Sequence, residues 1–305
     1  MERPVSSAAT KLETSIANGE FVVTAEIVPP LSATDARLIA AAESLGDRVT
    51  AINVTDAAAG RTSMSSFAAA ALLARHGFEP IVQVTCRDRN RIALAGDLLG
   101  VSAQGVHNVL VLRGDDPKGG DQPDAKEVFD LESAELMTLA RDMRDQGVLP
   151  SGRRIEPVPR FFIGAADVPR VPDEKWEAKW LLRKIESGAG FVQTQFCFDL
   201  DVAEKYLERL REEGITDRLG VIIGVGPIRS ARSAEWMNEN LFGVHVPEHV
   251  IERLKSSADA VHEGRAICAE LIEGLRAMPG VAGAHIMAPG GGAQAIAEVL
   301  QLVHA

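Results

Sequence analysis

Short apolar segments of strand length recur along the whole chain, and each is followed by a segment with helical spacing. Their length and β-branched content favour strands. They run apolar without strict alternation, which is typical of parallel strands covered by helices on both faces. The eight segments are FVVTAEIV (21–28), VTAINVTD (49–56), PIVQVTC (80–86), NVLVLRG (108–114), RFFIGAA (160–166), FVQTQFCF (191–198), LGVIIGV (219–225) and AHIMAP (284–289). Eight strand-helix units in about 300 residues predict an α/β fold, a TIM (β/α)8 barrel, with residues 1–305 as one domain.

The intervening helices are predicted from apolar residues at i, i+3, i+4, i+7 and i+8. In the helix after the second strand this stripe is Met64, Phe67, Ala68, Ala71 and Leu72, with Ser63 as the N-cap and Gly77 as the stop. Two further segments fall outside the repeat. One is an N-terminal helix with Leu12 and Ile16 on one face, and the other is a helical run from Pro247 to Met278 before the last strand.

A doubly wound open sheet is the alternative architecture. That fold would place a glycine-rich fingerprint after its first strand. The corresponding segment here, AEIVPPLSA (25–33), contains no glycine. The barrel is therefore the preferred prediction.

The charge of the chain narrows the class of partner. Its formal net charge is −11 and its pI is about 5.2, which argues against nucleic acid or an anionic membrane and favours a small molecule. No apolar run approaches the length of a membrane span, and the N-terminus lacks the apolar core of a signal peptide. We therefore expect a cytoplasmic protein in which Cys86, Cys197 and Cys268 are reduced packing residues. The sequence does not decide whether the protein forms a homo-oligomer.

In a TIM barrel, the position of a residue along its strand indicates whether it serves the active site or the stability of the fold. Active sites of this fold lie at the carboxyl ends of the strands, whereas residues at strand starts serve stability. His107, which precedes the fourth strand, is therefore discounted. The polar residues at predicted strand ends are Glu26, Thr55, Asp56, Thr85, Arg87, Asp88, Arg113, Asp115, Asp116, Asp167, Gln195 and Arg229.

Glu26 is the most informative of these residues. It lies inside an apolar strand that two prolines follow, so its carboxylate is expected to be partly desolvated, as suits a general acid. The alternative is a structural salt bridge with a barrel arginine such as Arg113.

The segments AEIVPP (25–30), VTCRDRN (84–90), LRGD (112–115), GAGFVQTQFCFD (188–199) and HIMAP (285–289) together resemble the methylenetetrahydrofolate reductases. They occur in the family's order across nearly the whole chain. The resemblance implies a TIM barrel and an enzyme of one-carbon metabolism and methionine biosynthesis. It implies that a hydride passes from NADH or NADPH, through FAD, to 5,10-methylene-tetrahydrofolate.

The resemblance also implies roles for individual residues. Glu26 would be the general acid that opens the folate ring, and Asp115 would act beside it in catalysis. Asp115, Gln195 and Thr194 would bind the pterin, whose amide-like edge pairs with a carboxylate and a carboxamide. The residues implied for FAD are Thr55, Arg113, Gly114, Asp115, Glu177 and Lys184, of which Lys184 suits a phosphate.

Departures from the family pattern concern the flavin above all. Ala166 and Asp167 stand where relatives carry an aromatic residue and a histidine, Gln83 replaces a common histidine, and Ala231 replaces a phenylalanine. They predict weak FAD binding, or direct hydride transfer from nicotinamide to folate. A folate-binding or regulatory barrel without redox chemistry is the alternative function, against which the retained acid Glu26 argues.

Three further motifs have alternative explanations. His245 and His249 are four residues apart, but Pro247 between them is expected to begin a helix, so no metal site is predicted. The loop Gly290 to Gly292 is either a phosphate site or a plain turn. The run Arg87 to Arg91 either attracts the folate tail or a phosphate, or pairs with acidic side chains.

Overall fold

Eight parallel strands close into a barrel in chain order, with β8 paired to β1. This is a computed structural model, and it describes residues 9–173 and 176–303. The strands are β1 (Val22–Ile27), β2 (Ala51–Val54), β3 (Pro80–Thr85), β4 (Asn108–Leu112), β5 (Phe162–Asp167), β6 (Ala189–Phe196), β7 (Gly220–Val225) and β8 (Gly283–Ile286). All eight overlap the predicted segments, so the TIM-barrel prediction is confirmed and the open sheet is excluded.

The helices surround the barrel. They are α1 (Lys11–Ala17), α2 (Ala36–Leu45), α3 (Ser66–Arg75), α4 (Arg91–Ala103), α5 (Ser133–Asp145), α6 (Lys179–Glu186), α7 (Leu200–Glu212), α8 (Ala231–Asn240), α9 (Glu248–Ser256), α10 (Ala260–Arg276) and α11 (Gly292–Leu302). Short 3-10 helices occupy Gly46–Arg48, Ala58–Gly60 and Pro117–Gly119. The predicted extra helices are α1 at the N-terminus and the pair α9 and α10 before β8. Within the described residues, no helix combines the length and apolar character needed to cross a bilayer.

Helix α1 closes the amino-terminal end of the barrel. Leu12 is fully buried and packs in one apolar cluster with Val22, Ala51 and Ile81 at the strand starts. Burying a leucine contributes about 2 kcal/mol. This end of the barrel is therefore filled, and the opposite end remains for a site.

Helix α3 buries a different face from the predicted one. Its buried residues are Ser66, Ala69, Ala70 and Leu73, whereas the predicted stripe is half-buried or exposed. The helix begins after Ser65, two residues beyond the predicted cap. The prediction of this stripe was wrong because SFAAAALLAR is apolar around most of its circumference, so periodicity does not select one face. The small alanines then let the helix approach β3 closely.

The three cysteines are buried and free. Burial raises the pKa of the Cys86 thiol to about 12 and that of Cys197 to about 11, and it raises the pKa of Cys268 as well. Thiols that stay protonated are poor nucleophiles. Their surroundings agree with the predicted packing role.

Candidate active site

A layer of polar side chains fills the barrel interior above the apolar layer at its base. Thr24, Asn53, Gln193 and His285 project inward from β1, β2, β6 and β8, and each is at most 3% exposed. Asn53 and Gln193 exchange two amide hydrogen bonds, of 2.6 and 3.0 Å. Gln193 also donates to Thr24 Oγ1 at 3.0 Å, and Thr24 Oγ1 lies 2.9 Å from His285 Nδ1. The floor of the barrel mouth is therefore a connected hydrogen-bond network.

Glu26 stands directly above this layer. Its Oε2 accepts a hydrogen bond from Gln83 Nε2 at 3.3 Å and lies 3.9 Å from His285 Nε2. The side chain is 21% exposed, so it reaches the open end of the barrel. The alternative salt bridge with Arg113 is wrong, because the acidic neighbour of Arg113 is Glu132.

The turn after β4 positions Asp115. Gly114 has φ +99°, and a Cβ there would lie 2.9 Å from Arg87 Cβ and 3.1 Å from Thr85 Cβ, so only glycine fits. Asp115 Oδ2 accepts a hydrogen bond of 2.6 Å from the backbone N–H of Ala59. The carboxylate is thereby held between the β2 and β4 loops at the barrel mouth.

Arg87 connects the loops that follow β2, β3 and β4. It is 2% exposed, and its Nη1 donates to the carbonyl oxygen of Asp115 at 2.9 Å. Its guanidinium also donates to the carbonyl oxygen of Ala57 and to the carboxylate of Asp88. The arginine therefore fixes the loop that carries Asp115.

The other arginines of the same run are also paired with acids. Arg89 pairs with the buried Asp56, which in addition accepts from the backbone and hydroxyl of Thr85. Arg91 pairs with Asp130 at 2.7 Å. Of the two explanations for Arg87 to Arg91, the structure shows the pairing.

Residues of β6 bring a carboxamide to the same end of the barrel. Thr194 is 3% exposed, and its hydroxyl accepts from Gly224 N and donates to the carbonyl oxygen of Gln195, both at 2.9 Å. Gln195 Oε1 accepts from the backbone N–H of Phe196 at 3.0 Å. Thr194 is thus engaged in holding the irregular pairing of β6 with β7, and within the described residues the Gln195 amide nitrogen donates to no protein group.

Thr55, Gly114 and Asp115, three of the residues implied for FAD, follow strands at the open end of the barrel. Thr55 follows β2 and is 1% exposed, and its hydroxyl has no hydrogen-bond partner among the described residues. Gly114 and Asp115 follow β4, which β3 separates from β2 in the barrel. A buried hydroxyl without a partner costs stability unless a ligand supplies one.

Lys184, the residue implied for a phosphate, and Arg113, also implied for FAD, both contact other groups of the protein. Lys184 Nζ donates to the carbonyl oxygen of Ala166 at 2.5 Å and to Asp167 Oδ1 at 3.1 Å. The guanidinium carbon of Arg113 lies 4.1 Å from the centroid of the Phe129 ring, and the Arg113 side chain is 61% exposed.

Glu177, the remaining residue implied for FAD, lies beside Lys179 at 3.5 Å and is 71% exposed. Because the charge of Lys184 is neutralised by Asp167, this set does not fit the diphosphate of FAD.

Asp167 is itself held from both sides. Its Oδ2 accepts a hydrogen bond of 2.5 Å from the hydroxyl of Tyr206, whose pKa is raised by burial and by the Asp167 charge. Its Oδ1 faces Lys184. The Asp167–Lys184 pair is therefore a built feature and not a chance surface contact.

The remaining motifs lie outside this arrangement. Arg229 Nη1 donates to the carbonyl oxygen of Gly290 at 3.4 Å beside the start of α11. Pro247 is the N-cap of α9, so His245 precedes the helix and His249 lies in its first turn. No cluster of metal-ligating side chains occurs within 9–173 and 176–303.

Sequence reasoning finds Glu26, Asp115 and Gln195 but misses Asn53, Gln193 and His285. A signal is available in the spacing of polar residues. The strands carry them two apart, as in Thr24 with Glu26 and Gln193 with Gln195, which places both on one face.

Comparison with known proteins identifies the family. Residues 11–301 match the family model described as methylenetetrahydrofolate reductase. A Caenorhabditis elegans protein named probable methylenetetrahydrofolate reductase (NADPH) is 29% identical over 70% of this chain and 31% of its own length. The 5,10-methylenetetrahydrofolate reductase of Salmonella typhimurium is 27% identical over 53% of this chain and 48% of its own. The chain thus spans less than half the length of these relatives.

A solved structure shares the fold over nearly its whole length. It is an uncharacterized Clostridium thermocellum protein described as binding two copies of 5-methyl-5,6,7,8-tetrahydrofolic acid. The TM-score is 0.64 at 14% identity, covering 96% of this chain and 97% of that one. At this identity the likeness concerns the fold alone. The match of residues 11–301 to the family model shows that the chain belongs to the methylenetetrahydrofolate reductase family.

Proposed function

We propose that this protein reduces 5,10-methylene-tetrahydrofolate to 5-methyl-tetrahydrofolate, with a reduced nicotinamide as hydride donor. The observation that carries the proposal is the position of the Glu26 carboxyl group and its two nitrogen neighbours. The carboxyl group stands at the mouth of the barrel, with Gln83 Nε2 at 3.3 Å and His285 Nε2 at 3.9 Å from one oxygen. A carboxyl group held in this way suits proton donation to a bound substrate.

The chemistry begins with ring opening. The methylene carbon of the substrate bridges two nitrogens, and protonation of the nitrogen outside the pterin ring by Glu26 breaks its bond to that carbon. The electron pair of the broken bond stays on the protonated nitrogen, and an iminium forms at the other nitrogen. A hydride from the nicotinamide then adds to the iminium carbon and gives the methyl group. Overall one hydride and one proton are consumed for each methyl group formed.

Asp115 and Gln195 are proposed to bind the pterin. Asp115 is oriented by Ala59 and offers acceptor oxygens, while Gln195 offers an amide donor. Together they match the alternating donors and acceptors of a pterin edge. The negative charge of Asp115 also favours the cationic iminium. We assign Thr194 to orienting Gln195, because its hydroxyl is engaged by the backbone.

We propose that the hydride passes directly from nicotinamide to folate. Lys184, the residue expected to meet a flavin phosphate, is neutralised by Asp167. A bound flavin would supply a hydride relay, but the charges at this rim do not favour its diphosphate. FAD is accordingly assigned weak or absent binding, and a cytoplasmic location remains a prediction.

The experiment is steady-state oxidation of NADH and of NADPH by the purified protein, with and without methylene-tetrahydrofolate. We expect nicotinamide oxidation only when the folate is present, with methyl-tetrahydrofolate detected by mass spectrometry. Absence of that product with both nicotinamides, with and without added FAD, would contradict the proposal.

A folate-binding barrel without redox chemistry is the second candidate. The Clostridium thermocellum neighbour is described as binding a methylated tetrahydrofolate, which supports a folate as ligand here. Such a protein needs the pterin contacts but no acid at the reacting nitrogen. Calorimetric binding of methyl-tetrahydrofolate together with absent turnover would favour this candidate.

A further inference from the structure

In the buried network beneath Glu26, the amide group of Gln193 determines which groups donate hydrogen bonds and which accept them. Gln193 uses its carbonyl oxygen and one N–H in the reciprocal pair with Asn53. Its second N–H donates to Thr24 Oγ1 at 3.0 Å. Thr24 therefore acts as an acceptor toward Gln193, and its own hydroxyl proton is free to point elsewhere.

His285 Nδ1 is the acceptor within reach of that proton. Among the described residues, the side-chain atoms within hydrogen-bond distance of Thr24 Oγ1 are Gln193 Nε2 and, at 2.9 Å, His285 Nδ1. The hydroxyl proton is therefore paired only if the hydroxyl donates and Nδ1 accepts. A neutral imidazole that accepts at Nδ1 carries its proton on Nε2. The network thus fixes the tautomer of a histidine that is 3% exposed.

The proton on Nε2 faces Glu26. His285 Nε2 lies 3.9 Å from Glu26 Oε2, and Gln83 Nε2 donates to that same oxygen at 3.3 Å. No described residue donates to Oε1 in the structure. The two oxygens of the carboxyl group are therefore unequal, because Oε2 has two side-chain nitrogens within 4 Å and Oε1 has no donor among the described residues.

We propose that His285, with its tautomer fixed by Thr24 and Gln193, is a positioning residue for Glu26. It acts together with Gln83 on Oε2, so that Oε1 bears the proton given to the folate. The inference rests on the proposed function. As the Oε1–H bond breaks and the new N–H bond forms, the electron pair remains on the carboxylate. The developing charge then meets two N–H donors that are already in place.

Substitutions of His285 test this role. His285→Asn keeps a polar atom near the Nδ1 position but removes the donor at Nε2, whereas His285→Gln places an amide donor near the Nε2 position. His285 Nε2 lies 3.9 Å from Oε2 and is expected to approach it as the negative charge develops, so loss of this donor should slow the reaction roughly 10- to 100-fold. We expect His285→Asn to lower kcat for folate reduction by that factor, with the folate KM within about twofold of wild type.

His285→Gln should recover most of kcat, a rescue that a merely structural role would not produce. The matched control is His107→Asn. His107 is a half-buried histidine at the opposite end of the barrel, with Nδ1 3.2 Å from the carbonyl oxygen of Arg160. This control should match wild type in kcat and KM. Wild-type kcat in His285→Asn, or no recovery in a folded His285→Gln, would overturn the proposal.

The tautomer is tested without any turnover. In ¹⁵N-labelled protein, the His285 imidazole should give the NMR pattern of an Nε2–H tautomer. Thr24→Val removes the hydroxyl while keeping the shape, and it should abolish that preference and lower kcat. An Nδ1–H tautomer in wild type would overturn the network argument. Wild-type protein that shows the Nε2–H pattern but no turnover would instead remove the proposed function, and the positioning role with it.

Discussion

Glu26 owes its environment to its place on β1. It faces the barrel interior two residues after Thr24, so it lies one layer above a buried polar network and is itself partly exposed at the open end of the barrel. The alternating residues Ala25 and Ile27 are buried on the other face, against the helices. A single strand therefore supplies both the packing that fixes the backbone and the acid that faces the substrate.

Replacing Glu26 by glutamine should remove the acid and keep the shape. A positioned general acid contributes about 10²- to 10⁴-fold, or roughly 3 to 5 kcal/mol of barrier. We expect Glu26→Gln to fold, to bind folate, and to reduce it slower by that factor. Near-normal folate reduction in steady-state assays would remove Glu26 from the mechanism.

Asp115→Asn is the comparison for that variant. The amide oxygen can still accept from the N–H of Ala59, so the loop should keep its shape. Because this carboxylate is assigned to the pterin and to the cation, both the folate KM and kcat should worsen. An unchanged KM would argue against a pterin contact.

At the scale of an element, the turn after β4 depends on close approach of two backbone segments. Gly114 has φ +99° and sits against Arg87 and Thr85, whereas Gly77 has φ +87° and open space within 4 Å of the point where a Cβ would lie. Both glycines adopt a backbone conformation that alanine disfavours by about 1 to 2 kcal/mol. Only Gly114 adds a steric clash.

Gly114→Ala should therefore lower the free energy of unfolding by about 1 kcal/mol or more beyond the loss in Gly77→Ala. Urea denaturation of the two variants measures the difference. The Gly114 variant should also lose folate reduction, because the clash displaces Arg87 and the loop that carries Asp115. Equal stability losses and equal activities would show that the turn tolerates a side chain.

The residues at the strand ends show which parts of the candidate site can be predicted from the sequence. Glu26 is predictable because a carboxylate stands out in an apolar run, and Asp115 because it follows one. The contact of Glu26 with Gln83 and His285 is not predictable, since it depends on how β1, β3 and β8 face one another across the closed barrel. The sequence pattern of a single strand does not indicate such contacts with side chains of other strands.

At the scale of the whole molecule, the proposed weakness of FAD binding depends on the charges at the rim of the barrel. The chain carries a net charge of −11, and Lys184, the lysine implied for a phosphate, is paired with Asp167. A phosphate beside Lys184 is therefore disfavoured as long as Asp167 pairs with that lysine. The sequence predicts weaker flavin binding from missing aromatic residues, and the Lys184–Asp167 ion pair, which only the folded structure reveals, is the second cause that we propose.

Asp167→Asn tests that cause. It frees the charge of Lys184 while still offering an oxygen to the Tyr206 hydroxyl. Restoring one cation beside a phosphate is worth about 1 kcal/mol, so FAD should bind roughly fivefold tighter in fluorescence titrations. The gain should vanish in the Asp167→Asn, Lys184→Met double variant. No change in FAD affinity would mean that Lys184 does not meet a phosphate.

The most direct test of the account follows the hydride itself. Flavin-free protein is incubated with methylene-tetrahydrofolate and with NADH or NADPH deuterated at the transferable position, and the mass of the folate product is measured by mass spectrometry. Direct transfer predicts methyl-tetrahydrofolate that carries one deuterium in its methyl group. No methyl-tetrahydrofolate with either nicotinamide, or a product that forms only after FAD is added and lacks the deuterium, would contradict the account.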